Sequence, residues 1–400
     1  MGVFLMRNKI KHNLIFGVLI LIFTLIVCGF VKGDQTSLMQ EISQPEARAV
    51  DEAWLEQQTE ERLASMTVEE KVYQMFIVTP EALTEGAAVT AIDETARDFL
   101  KECPVGGLVY FSKNLTDTEQ TKELLRRTQA YALELQGLPL FQCVDEEGGR
   151  VARIGNNKAF HVPKVGPMGK LHTKEEAYAA GCTVGVYLRD LGFNLDFAPD
   201  ADVLTNPKNT VIGNRSFGKD AGLVLRYASA YSDGLHAYGI LSTFKHFPGH
   251  GATEADTHDG FAYTERTYEE LRQADLVPFA GAEEAGIDFV MVSHIAVPNV
   301  TGDNMPCSLS YQMITQVLRG ALKYDGIIVT DAMNMGAITE LYASDEAAVA
   351  AIKAGVDVIL MPEDFRLAAQ GVLAAVRSGV ISEERIDESV RRLIRAKLKM

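Results

Sequence analysis

Cysteine is scarce in this chain of 400 residues, and the five present are scattered. Cys28 stands near the N-terminus, while Cys103, Cys143, Cys182 and Cys307 lie far apart. There is no C-x-x-C pair and no zinc-type spacing. One disulfide outside the cytoplasm stays open, but buried free thiols are the expectation for a domain this large. Basic charge is also short. Lys and Arg number 38 against 54 Asp and Glu, a net charge of -16. That leaves no basic footprint for nucleic acid, and any grip on an acidic ligand must come from a few local Lys or Arg residues. Repeats of 20 to 50 residues and low-complexity tracts are absent, which removes the solenoid architectures.

Long apolar runs are missing too, with one exception. Arg7, Lys9 and Lys11 precede an uncharged apolar stretch over residues 14–31, close to the roughly 20 residues that span a bilayer. The basic flank should stay cytoplasmic and leave the rest outside. No clean small-x-small cleavage site follows. Residues 25–29 faintly resemble a lipoprotein box, with Val27 too bulky before Cys28. An uncleaved anchor is expected over residues 1–31, with a cleaved signal or a lipidated Cys28 as alternatives. Residues 32–52 are polar and without apolar period, and are expected to be a tether. Residues 53–400 are then expected to form the single main domain.

What is present in that domain is ordinary in amount, 47% apolar and 23% charged, and enough for a large core. Short apolar runs recur at 75–78, 107–111, 140–144, 193–198, 240–244, 289–292, 326–330 and 356–361. Helical periodicity separates most of them, as over 118–135, 221–238 and 268–285, and a last helix over 383–398 would complete the set. Apolar strands alternating with helices imply a parallel sheet buried on both faces. Eight such units predict an α/β fold of the (β/α)8 barrel type.

The ends of these runs are polar. Asp145 follows the third, Asp200 and Asp202 the fourth, Lys245 and His246 the fifth, Ser293 and His294 the sixth, and Asp331 the seventh. Active sites of barrels lie at the C-terminal ends of the strands. Open doubly wound sheets use the same end, so the pattern argues for a site more firmly than for closure.

The densest chemistry is in K-H-F-P-G-H-G, residues 245–251, followed by D-T-H at 256–258. Pro248 and Gly249 exclude a helix between His246 and His250, which weakens a two-histidine metal site of helical spacing. A metal held by His246, His250 and His258 on a loop stays open. Alternatively, Asp256 fixes the tautomer of His258 and leaves its other nitrogen to move a proton. D-x-H spacing also occurs by chance. Asp331 ends the apolar run I-I-V-T-D. It is either a loop acid or a nucleophile held rigidly by its strand.

Taken together, K-H-F-P-G-H-G, D-T-H, V-T-D-A-M-N-M over 329–335, D-E-E-G-G-R-V-A-R over 145–153 and I-G-N-R-S-F over 212–217 resemble glycoside hydrolase family 3. The likeness is to its bacterial β-N-acetylhexosaminidase (β-N-acetylglucosaminidase) branch, and it runs from about residue 55 to the C-terminus. It implies Asp331 as the nucleophile that forms a glycosyl-enzyme, and His258 paired with Asp256 as acid/base. It assigns Asp145, Arg153, Arg215, Lys245 and His246 to binding the N-acetylglucosamine ring, and leaves His250 to shape the loop. It implies no metal or organic cofactor, a carbohydrate substrate and a monomer.

Most retaining glycosidases use two carboxylates about 5 to 5.5 Å apart. An imidazole in place of one repels an anionic acceptor less, so phosphorolysis stays open beside hydrolysis. The β-glucosidase branch takes its acid/base from a second domain, for which this chain leaves no room. The expected enzyme is a retaining, exo-acting β-N-acetylhexosaminidase. It would be membrane-tethered outside the cytoplasm and act on peptidoglycan fragments or chitin-type oligosaccharides.

Overall fold

The computed structural model describes residues 51–400 apart from 85, 87, 254–256, 258 and 259. The segments expected to be anchor and tether therefore lie outside the described residues, save for 51 and 52. Among the described residues no helix is long and apolar enough to cross a membrane. The first helix starts at Glu52 and is capped by the Asp51 carboxylate, which accepts from the Ala53 N–H at 3.0 Å.

Seven of the eight apolar runs contain a strand; the run at 240–244 overlaps one that starts at Thr243 and reaches Phe247, so Lys245 and His246 lie within that strand rather than after it. In chain order the strands are β1 (Phe76–Val78), β2 (Gly107–Val109), β3 (Phe141–Val144), β4 (Glu146–Gly148) and β5 (Val151–Ala152). They continue with β6 (Leu195–Asp196), β7 (Thr243–Phe247), β8 (Phe289–Val292), β9 (Ile327–Thr330) and β10 (Ile359–Leu360). β4 and β5 make a small antiparallel hairpin that the periodicity does not announce. The other eight are parallel to their neighbours, in a sheet of order β10-β1-β2-β3-β6 and a second of order β7-β8-β9. Isolated parallel bridges Leu195↔Leu241 and Val329↔Val358 lie between the two sheets' outer strands. All residues of β1, β2, β3, β8 and β9 are buried, as a sheet covered on both faces requires. Phe141 of β3 meets Phe289 of β8 edge to face at 5.4 Å.

Helices lie between the strands where amphipathic periodicity places them, at Thr118–Gln136, Ala221–His236 and Glu383–Lys399. The stretch 268–285 departs from expectation. It breaks into Tyr268–Gln273 and Val277–Ala280. Pro278 lacks the N–H that a continuous helix would need, and so opens the second short helix within its first turn. The thiols of Cys103, Cys143, Cys182 and Cys307 are free.

Candidate active site

The strands deliver their polar followers to one end. β3 stops at Val144, and the chain turns through Asp145 into the β4–β5 hairpin. The hairpin's corner is Gly148-Gly149, both at positive φ (89° and 58°). A Cβ on Gly149 would stand 2.8 Å from a Pro167 side-chain atom, so glycine is needed there for space as well as conformation. This corner folds Asp145, Glu147 and Arg153 over the strand ends. At the end of β7 the pairing with β8 slips between Lys245 and Phe247. The extra residue, His246, re-aims the end of the strand.

Asp145, Glu147, Arg153, Arg215, Lys245, His246 and Asp331 all line one cavity of about 220 Å³. Lys245 Nζ lies 2.8 Å from Asp145 Oδ1 and 2.7 Å from Glu147 Oε1. Arg153 Nη2 is 3.3 Å from Asp145 Oδ2, and its guanidinium lies over the Phe111 ring at 5.5 Å. Arg215 grips Glu147 with Nε and Nη2, and its Nε also lies 3.3 Å from Asp200 Oδ2. Burial alone would discharge these groups. For Lys245 it is outweighed by Asp145 and Glu147, and the ammonium pKa is raised. For Asp145 it is outweighed by Lys245 and Arg153, and the carboxyl pKa is lowered. The cavity wall is therefore charged on both sides of each pair.

Asp331 follows β9 directly. Its N–H donates to Val292 O at 2.8 Å, and its Oδ1 accepts from the Ala332 N–H at 2.8 Å. Burial opposes its charge, but His246, His294, the Ala332 N–H and Lys245 together hold its pKa below the usual carboxylate value. Asp331 is an ionised carboxylate with one oxygen committed to the backbone. His294 sits behind it, with Nδ1 2.7 Å from Ser308 Oγ and Nε2 3.0 Å from Ala332 O.

His246 and His250 do different work. His246 Nδ1 lies 2.7 Å from Asp202 Oδ2, and its Nε2 lies 3.5 Å from Arg215 Nη2. A guanidinium only donates, so Nε2 is the acceptor and Nδ1 carries the proton. Burial and then the Arg215 charge push the imidazole pKa down to about 4, which keeps the ring neutral. His250 points away into the loop. Its Nδ1 is 2.9 Å from Thr253 Oγ1, its Nε2 is 3.3 Å from Thr257 Oγ1, and its N–H donates to Asp202 Oδ1 at 2.6 Å. The proposed dyad, Asp256 and His258, lies outside the described residues.

Asp200, Asp202 and His246 present ligand atoms within 4.8 Å of one another, a different set from the three histidines considered from sequence. Their atoms are turned on each other and on Arg215. Burial raises the carboxyl pKa of Asp200 and Asp202, with mutual repulsion adding to it for Asp200. The Arg215 guanidinium, 3.3 Å from Asp200 Oδ2, supplies positive charge to this cluster.

Two residues of the site carry more than their sequence position suggested. Glu147 is the hub for Lys245 and Arg215, and the available signal was its spacing of two from Asp145. Asp202 orients His246 and also binds the backbone of the following loop. A larger cavity of about 430 Å³ opens alongside, against Thr79, Asn334 and Glu363, and shares Met361 with the first. The ionised groups converge on the smaller one.

Residues 67–396 match the family model described as "Glycosyl hydrolase family 3 N terminal domain". Beta-hexosaminidase A of Pseudoalteromonas piscicida is 33% identical over 338 residues, which cover 78% of this chain and 56% of that protein. The Beta-hexosaminidase of Idiomarina loihiensis is 34% identical over 283 residues, or 70% of this chain and 82% of the relative. A solved glycoside hydrolase family 3 beta-N-acetylglucosaminidase from Paenibacillus sp. str. FPU-7 superposes with a TM-score of 0.78 at 39% identity. That match covers 84% of this chain and 63% of the other. The chain thus spans just over half of the first relative and four-fifths of the second.

Proposed function

This chain belongs to glycosyl hydrolase family 3, and on that footing we propose that it is a retaining, exo-acting β-N-acetylhexosaminidase. Its substrates are terminal β-linked N-acetylglucosamine units of peptidoglycan fragments or chitin-type oligosaccharides. The observation that carries this reading is the placement of the Asp331 carboxylate at the end of β9, in a cavity ringed by Lys245, Asp145, Arg153 and Arg215.

In the first step an Asp331 oxygen attacks the anomeric carbon, and the bond to the leaving oxygen breaks. His258, oriented by Asp256, gives that oxygen a proton. In the second step a water oxygen attacks the anomeric carbon while His258 takes its proton, and the bond to Asp331 breaks, releasing the sugar and the carboxylate. Carboxylates and cations of the wall offer acceptors and donors to sugar hydroxyls and the acetamido group without a net charge. The cavity, about 220 Å³, suits one monosaccharide better than a chain, in keeping with exo action.

We read the eight parallel strands as one (β/α)8 ring. The support is the pair of bridges Leu195↔Leu241 and Val329↔Val358, reinforced by hydrogen bonds such as Leu241 N to Asn194 O and Thr330 N to Val358 O. Residues 1–31 hold the enzyme, as a monomer, to the outer side of the cell membrane. Cell fractionation with an N-terminally truncated control tests that placement.

The test of the activity compares aryl β-N-acetylglucosaminide with aryl β-glucoside, each with and without phosphate. Preference for the acetamido sugar, independent of phosphate, is expected. Preference for the glucoside would overturn the substrate. Incubation with a 5-fluoro N-acetylglucosaminyl fluoride should leave a sugar on the peptide containing Asp331. Labelling elsewhere would overturn the mechanism.

A further inference from the structure

The cavities of about 220 and 430 Å³ are built from the same two turns. Of the turn after β9, Asp331, Ala332 and Met335 line the smaller cavity and Asn334 lines the larger. Of the turn after β10, Met361 lines both, and Pro362 and Glu363 continue along the larger. The turns are tied together, since Met333 N–H donates to Leu360 O at 2.8 Å. Met361 N–H donates to Ile77 O at 2.9 Å and fastens the second turn to β1. Met361 has a φ of 48°, uncommon for a residue with a side chain. The larger cavity thus lies over the ends of β1 and β10, at the same end as Asp331, and one residue walls both.

Its lining combines fixed apolar surface with uncommitted polar groups, the make-up of a small-molecule site. Phe365 packs on Phe99 and Phe76 with ring centroids 5.8 and 5.4 Å away. Phe99 and Phe365 are each 7% exposed. Glu81 accepts from Asn114 Nδ2 at 2.7 Å and from the Val89 N–H at 3.2 Å. The exposed side chains of Asn334 and Glu363 have no hydrogen-bond partner among the described residues. The charge is uneven. Glu81 has Lys113 Nζ at 3.4 Å, and Arg366 has Glu102 at 3.3 Å, so each is offset. Glu363 and Asp364 have no cation within ion-pair distance among the described residues.

An exo-acting enzyme seats one terminal sugar at its nucleophile, and the rest of the substrate extends to the leaving side. The space that shares a wall with the Asp331 cavity is the larger cavity. We propose that this cavity seats the second sugar of an oligosaccharide, and that Glu363 and Asp364 favour a neutral N-acetylglucosamine there over a sugar bearing a carboxylate. Like charges brought together in a partly enclosed space repel. The proposal rests on the glycosidase reading of the Asp331 cavity and separates its two substrate classes. Chitin-type chains present a neutral second sugar, whereas the muramic acid of peptidoglycan adds a lactyl carboxyl group.

The test measures kcat/KM on three substrates at low ionic strength. They are diacetylchitobiose, N-acetylglucosaminyl-β-1,4-N-acetylmuramic acid and β-N-acetylglucosaminyl fluoride, whose leaving group is too small to fill the cavity. Ala82→Trp narrows the cavity from the short helix Glu81–Thr84. It should lower kcat/KM on diacetylchitobiose about tenfold more than on the fluoride. Ala82→Leu adds less bulk, so it repeats the reading with less risk to folding and should change the ratio in the same direction. An unchanged ratio in both variants overturns the subsite. Wild type should prefer diacetylchitobiose to the muramic acid disaccharide by about three- to fivefold. Glu363→Lys, at an exposed position, should remove or reverse that preference and leave the rate on the fluoride near wild type. A wild-type preference for the muramic acid disaccharide, or a preference unaltered by Glu363→Lys, overturns the charge selection. Failure of the wild type to release N-acetylglucosamine from any of the three would instead sink the glycosidase reading.

Discussion

Glu147 holds Arg215 by two parallel hydrogen bonds, Nε to Oε2 and Nη2 to Oε1, each 2.8 Å long. The same carboxylate meets Lys245 Nζ at 2.7 Å. Burial opposes its charge, yet Arg215 and Lys245 outweigh it and hold the carboxyl pKa far down. Glu147→Ala would leave two buried cations short of a partner. We expect a loss of about 3 to 5 kcal/mol in stability, read from the urea midpoint, with a fall in kcat/KM. Arg215→Lys keeps the charge but cannot form the fork, and should lower kcat/KM more than it lowers the midpoint. A Glu147→Ala protein within about 0.5 kcal/mol of wild type would show that the hub is dispensable.

The Asp331 carboxyl has its pKa lowered from 3.8. A nucleophile must be ionised, so activity should persist as pH falls and be lost only through the lowered pKa. The acid limb of kcat/KM therefore lies below 3.8. On the proposed mechanism the basic limb belongs to loss of the proton from the His258 imidazolium. His258→Ala should remove that limb and cost about 10² to 10⁴-fold on substrates with poor leaving groups. An acid limb at pH 5 or above in wild type would assign the attack to another group.

His246 is kept neutral, with its pKa down to about 4. At pH 6 an unperturbed imidazole would be mostly protonated. The ring nitrogens of His246 should instead give the nitrogen chemical shifts of a neutral ring, with Nδ1 protonated. Selective nitrogen labelling checks this between pH 7 and 5. A ring already charged at pH 6 would mean that Asp202, at 2.7 Å from Nδ1, prevails over burial and Arg215.

Gly249 has φ of 132°, and a Cβ there would stand 2.5 Å from the Asp275 Cβ. Asp275 in turn pairs with Arg266. Gly249→Ala should cost about 1 to 3 kcal/mol of stability and lower kcat, because it pushes apart the two stems of the loop that bears His258. Thermal melts and kcat on an activated aryl substrate check it, and a silent substitution would show that the loop stem tolerates the shift.

The apolar runs were legible because a strand buried on both faces needs a nearly unbroken apolar sequence; seven contain a strand and the fifth overlaps one that runs on through Lys245 and His246. The contacts between the two parallel sheets were not. β6 and β10 are two residues long, and backbone hydrogen bonds such as Asp196 N to Leu241 O leave no side-chain signature. Asp145 and Lys245 were legible through motifs of known families, and the same motif ran past Glu147 because two adjacent acids gave no reason to choose the second. The broken helix at 268–285 was misread because its apolar period continues across Pro278, where the missing N–H decides.

Lys397 offers a test far from the motifs. It is 2% exposed on the last helix, donates to Gln74 Oε1 at 2.7 Å, and sits 5.0 Å from the centroid of the Phe141 ring. Burial is the chief reason that its pKa falls to about 7. The unfolded chain, with a lysine pKa of about 10.4, binds more protons than the folded one between these values. Stability from this group is therefore fully present above the unfolded value and is lost as pH falls towards 7. In Lys397→Met the titration is gone. The unfolding free energy of wild type minus that of the variant should rise with pH from 7 to 10, by at most about 1.4 kcal/mol per unit. Guanidinium melts of both proteins at pH 7, 8.5 and 10 measure it. A difference flat in pH would mean that Lys397 keeps its proton inside the protein, held by Gln74 and the face of Phe141.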